Sequence, residues 1–89
     1  MKDLKVTVDS VVARCGAKHA VGDAFLVRGG GKIELPAGKT FCMFAMQAAI
    51  PFLTTKQREE DLPASDWVPQ TTKVCCPDPD GVVMKVEPI

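Results

Sequence analysis

The stretch Thr40-Phe41-Cys42-Met43-Phe44-Ala45-Met46-Gln47-Ala48-Ala49-Ile50-Pro51 decides how the rest of the chain must fold. Its alanines and methionines favour helix, and Thr40 offers an N-cap. Pro51 ends or kinks the run, so the sequence predicts a helix over Phe41–Ile50, with Phe52-Leu53 beginning a further turn. Gln47 is the only polar residue in that helix. A helix apolar on nearly every side, yet far too short to cross a bilayer, has to be covered by protein, either by a sheet and a loop or by a second subunit.

The segments on either side supply the sheet. Leu4, Val6 and Val8 alternate with Lys5, Thr7 and Asp9, the period-two pattern of a half-buried strand, here predicted from Asp3 to Ala13. Arg14 to His19 breaks that pattern, so Cys15 and His19 fall in a loop before a second strand, Ala24–Arg28. Gly29-Gly30-Gly31-Lys32 lacks the second spaced glycine and the Ser or Thr of a phosphate loop and reads as a hairpin turn. Ile33 and Leu35 form a short return strand that Pro36-Ala37-Gly38 ends. Beyond the helix, Lys56 to Asp61 is a charge run expected to be a solvated helix end or loop, and irregular chain surrounds Trp67. Two final strands, Thr71–Cys76 and Val82–Glu87, flank the turn formers Pro77-Asp78-Pro79-Asp80-Gly81 and close an antiparallel hairpin. With no internal repeat or linker, residues 1–89 are expected to make one α+β domain, four or five mostly antiparallel strands with the helix packed on one face.

A chain of 89 residues hides only about 60–65% of its unfolded surface, which limits it to one modest core. Eleven basic and eleven acidic residues give zero net charge, so no field gathers phosphate backbones or anionic lipid, and neither nucleic acid nor membrane is an expected partner. Low net charge also favours self-association. Met1 to Val8 alternates polar and apolar residues and is no secretory signal, which places the chain in the cytoplasm with its four cysteines reduced.

The order Cys15-x-x-x-His19-x-x-Gly22-Asp23-x-Phe25, then Cys42 opening an apolar helix that meets Pro51, then Cys76-Pro77-Asp78-Pro79 before a last strand, resembles a family. It is similar to the small uncharacterised prokaryotic proteins marked by an N-terminal Cys…Gly-His-x-x-Gly-Asp segment and a C-terminal Cys-Pro-Asp-Pro motif. The resemblance covers nearly the whole chain; it implies a compact α+β domain and assigns no activity. Lys18 stands where that family usually has glycine before the histidine, and Met43-Phe44 stand where it usually has Pro-Trp, departures that bear on the local loop geometry.

Three cysteines and the single histidine stand at a loop, a helix start and a strand end, where side chains from different elements can converge. Thiolate and imidazole suit zinc or an iron–sulfur cluster, and Cys15, His19, Cys42 and Cys76 would complete a tetrahedral site for a small accessory domain. The spacing lacks paired Cys-x-x-Cys knuckles. Cys75 and Cys76 are adjacent and point to opposite faces of a strand, so Cys76 is the better ligand. Cys42, close to the positive end of the helix dipole, is alternatively the thiolate of a thiol-dependent enzyme with His19 as base. The plainer reading makes the cysteines small buried hydrophobes and His19 a brace for its turn. A third expectation is a homo-oligomeric interaction module or small-molecule pocket lined by Met43, Met46 and Phe52, against the alternative that these residues pack in an ordinary core. Asp23, Asp78 and Asp80 are explained by turn formation.

Overall fold

The computed structural model describes all 89 residues. Strand β1 (Leu4–Val11) is central because its apolar alternation buries Leu4, Val6 and Val8 completely. It pairs on one side with β2 (Ala24–Arg28) and on the other with β5 (Val82–Pro88). Two short strands, β3 (Lys32–Glu34) and β4 (Lys73–Cys75), close the edges. All pairings are antiparallel and the order is β3-β2-β1-β5-β4. The expected α+β architecture is therefore present, with five strands and the main helix on one face. Gly30 and Gly31, at φ +83° and +74°, turn β2 into β3 in a conformation that side-chain-bearing residues resist.

Helix α1 (Met43–Gln57) lies on the sheet through Ala45, Ala49, Phe52 and Leu53, spaced so that they share one stripe. They meet Phe25 and Val27 of β2, Val82, Met84 and Val86 of β5, and the β1 residues already named. The alanines let the helix backbone approach the sheet closely. Filling such a contact with a larger side chain typically costs about 1–3 kcal/mol.

Three expectations need correction. The helix is capped by Cys42, not Thr40, and it continues six residues past Pro51 to Gln57. Pro51 is on the exposed side, so its ring meets solvent, while Phe52, Leu53, Lys56 and Gln57 carry the buried stripe beyond it. The missing N–H leaves the Gln47 carbonyl without its helical donor. The charge run is also only partly solvated: Arg58, Glu60 and Asp61 are exposed around a short 3₁₀ turn at Glu59–Asp61, but Lys56 and Gln57 are buried. Gln57 Nε2 donates to the carbonyls of Lys2 (3.1 Å) and Arg28 (2.8 Å), sewing the helix to β1 and β2. Lys56 Nζ pairs with Glu59 and donates to the carbonyls of Val68 (3.2 Å) and Pro69 (3.3 Å). Trp67 starts a four-residue helix, α2 (Trp67–Gln70), capped by the Asp66 carboxylate accepting from Val68 N–H, where irregular chain was expected.

Candidate functional site

Because the sheet is antiparallel, the end of β1, the start of β2, the end of β4 and the start of β5 lie together. The C-terminal end of α1 is fastened to Lys2 and Arg28 at the opposite edge, so its N-terminus belongs to this same end. The topology thus gathers Cys15, His19, Cys42 and Cys76 at one end of the molecule. The β1–β2 loop is tied to the 77–81 turn by Val12 N–H donating to the Gly81 carbonyl and by Ala13 and Arg14 N–H donating to that of Asp80, all at 2.9–3.0 Å. Gly81 is needed there, since a Cβ would fall 3.1 Å from Cys76 Cβ and 3.2 Å from its Sγ.

His19 is the centre of this end. Cys42 N–H donates to His19 Nε2 at 2.9 Å, so Nε2 carries no proton; the proton is on Nδ1, which donates to Asp23 Oδ2 at 2.8 Å. The same Asp23 oxygen accepts from Ala20 N–H at 3.1 Å. These bonds, that of His19 foremost, hold the Asp23 carboxyl below the usual carboxylate range, against a smaller opposing effect of burial. The imidazole ring packs 4.4 Å from Phe41, whose edge meets Phe25 at 4.7 Å. Only 7% of the His19 side chain is exposed. The loop turns at Lys18, whose φ of +58° is the left-handed backbone that glycine adopts most easily.

This geometry bears on each candidate role. No group of three or more His, Cys, Asp or Glu side chains is placed so that it could hold a metal ion. Both ring nitrogens of His19 are engaged, leaving no lone pair for zinc. Sharing one end of the sheet has not made a ligand set of Cys15, His19, Cys42 and Cys76. The base–thiol pairing is not formed either, because His19 meets the backbone N–H of Cys42 and not its sulfur. Cys15, Cys42 and Cys76 are half-buried and pack against the core, while Cys75 is exposed on the opposite side of the edge strand.

Two further surfaces stand out. The side of α1 away from the sheet exposes Met43 (82%), Phe44 (56%) and Ile50 (44%) together with Pro51, Gln47, Thr54 and Thr55. No charged residue occurs from Thr40 to Thr55. Trp67, 64% exposed, stacks over Phe52 at 5.8 Å beside this face. Of the three residues expected to line a contact, Met43 is on this face, Met46 is half-buried and Phe52 is in the core. The second surface is a groove of about 680 Å³ lined by Lys5, Lys18, His19, Asp23, Lys39 and Thr40 among others. The sequence hides it, because those residues come from β1 and from two loops.

Comparison with known proteins returns no matching family model, no similar curated protein and no similar solved structure. No helix is long and apolar enough to cross a membrane.

Proposed function

We propose that the protein is a homo-oligomeric interaction module whose α1 faces pair across a two-fold axis. The observation that carries this reading is the outer side of α1: a 15-residue helix, about 22 Å long, with Met43, Phe44 and Ile50 exposed on the side turned away from its own sheet and no charged residue on that side. Exposed Met and Phe are costly to leave in water and contribute strongly when covered. A second copy is the occupant that fits. An uncharged surface meets its own image without like-charge repulsion, and the whole chain carries no net charge to oppose association. The Gln47 carbonyl, freed by Pro51, and the Gln47 side-chain amide supply an acceptor and a donor that a symmetric contact can satisfy from within itself. Covering about 800 Å² per copy, a modest part of the 5361 Å² surface, would make a stable dimer.

Sedimentation equilibrium tests this. The expected mass is twice the 9.6 kDa of the chain, and Ile50→Glu, which places a charge at the contact while leaving the core intact, is expected to weaken dimerisation about 100-fold. A wild-type protein that stays monomeric at millimolar concentration overturns the reading.

A further inference from the structure

The groove at the β1–β2 loop points to a second activity that does not depend on self-association. We infer that it binds a small polyanion, a molecule carrying phosphate or clustered carboxylate groups, between Lys5, Lys18 and Lys39.

Lys2, Arg28, Lys56, Lys73 and Lys85 each meet a carboxylate within 4.0 Å. Lys5, Lys18 and Lys39 take part in none of these ion pairs, although all three line one concavity. Asp23 is the only carboxylate among the lining residues, and its Oδ2 is committed to His19 and Ala20. His19 is neutral and fully bonded, so it neither adds charge nor competes for the anion. The groove therefore carries an excess of two positive charges in a chain whose net charge is zero. Lys39 helps hold the Asp23 carboxyl low, but no carboxylate pairs with Lys5 or Lys18, and like charges left unpaired repel.

The walls are held in place. Lys18 sits in its left-handed conformation with its N–H donating to the Cys15 carbonyl at 2.9 Å, a backbone state that costs a lysine free energy and turns up preferentially at functional loops. The opposite wall, Pro36 to Thr40, is a turn closed by Lys39 N–H donating to the Pro36 carbonyl at 3.0 Å. β3 stops at Glu34, opposite Leu26, so Ala24 and Phe25 have no strand partner on that side. A volume of about 680 Å³ is in the range of small-molecule sites, roughly 300–1,000 Å³. Three flexible ammonium groups suit an anion with several oxygens, as point charges that adapt to it.

The test is a titration of the isotope-labelled protein, followed by amide NMR, with sodium pyrophosphate in one arm and sodium citrate in the other, at constant ionic strength. Saturable shifts at Lys18, His19, Gly22, Ala24, Lys39 and Thr40 with a Kd below about 1 mM are expected in at least one arm, and the arm that saturates identifies phosphate or carboxylate as the preferred group. The double variant Lys5→Gln with Lys39→Gln, its fold checked by its own spectrum, is expected to bind at least about tenfold more weakly. Lys32→Gln, at an unpaired lysine outside the groove, is expected to bind like wild type. Non-saturating shifts equal to those produced by sodium chloride, or equal weakening by Lys32→Gln, overturn the inference. Because Ile50 lies outside the groove, an Ile50→Glu monomer that still binds separates this outcome from the fate of the dimer.

Discussion

At its C-terminal end α1 is held by two buried side chains, Lys56 and Gln57, which together reach four backbone carbonyls and the Glu59 carboxylate. At its N-terminal end one backbone N–H, that of Cys42, reaches one unprotonated imidazole nitrogen. The first fastening is spread over five partners, so the loss of any one leaves the others in place. The second rests on a single acceptor, the Nε2 lone pair of His19, and nothing else holds the Cys42 N–H if that bond is lost. One end of the molecule is built as a lock and the other as a latch. Both the cysteines and the polar groove are at the latch.

The largest expected effect lies at the lock. Lys56→Met is predicted to cost about 3 kcal/mol, the low end of what removing one partner from a buried pair costs, since Lys2 at 3.1 Å still faces the Glu59 carboxylate. Burial works to raise the Glu59 carboxyl, and the bonds from Lys56 and Lys2 outweigh it, so that the net shift is downward and the group is held ionised. Pairing Lys56→Met with Glu59→Gln should recover part of the loss. Urea unfolding measures both, and a single-variant loss under about 1 kcal/mol would mean that the two ends of α1 do not differ as described.

At the latch the effect should be smaller. His19→Phe keeps an aromatic ring against Phe41 and removes both hydrogen bonds, one of them to the exposed Asp23 side chain. The expected loss is about 1 kcal/mol. Hydrogen exchange gives the sharper readout: the amide of Cys42 should exchange faster in this variant while those near Gln57 keep their protection. Equal acceleration at both ends would show that α1 frays as a unit.

Much of the fold was legible in local pattern. The alternation of Leu4, Val6 and Val8, the strand Ala24–Arg28 and the turn formers between Cys76 and Val82 each lie where the sequence placed them, because a strand's side chains alternate whatever surrounds them. The helix end was not legible. Pro51 stops a helix only if the next residues gain nothing by continuing, and the burial of Phe52, Leu53, Lys56 and Gln57 is a tertiary gain no local rule records. The same holds for Lys56, read as part of a solvated charge run, whose burial depends on carbonyls of α2. At the site, the sequence singled out Cys15, His19, Cys42 and Cys76, and topology does bring them to one end. What it could not give was the order of partners around His19, since the donor to Nε2 is a backbone N–H, which every residue but proline possesses. The groove lysines gave no signal either, being scattered singly along the chain.

The smallest effect is one of pH, and it tests whether Asp23 belongs to the latch. Its carboxyl is held below the ordinary value, chiefly by the His19 bond and then by Ala20 N–H. A carboxyl that is more acidic folded than unfolded adds stability that is complete above its unfolded value, near 4, and is lost as pH falls through the lower folded value. Protonation from the outside thus acts first on the unfolded chain, so the contribution shrinks only on the acid side of about pH 4. Asp23→Asn keeps an oxygen for Nδ1–H and for Ala20 N–H but has no such titration. The difference in stability between wild type and this variant should therefore be constant from neutral pH down to about 4 and narrow below it. Glu59 titrates over the same acid range in both proteins and cancels in that difference. Parallel curves all the way down the acid limb would show that the Asp23 carboxylate gains nothing from His19, and the latch would reduce to the single Cys42 bond.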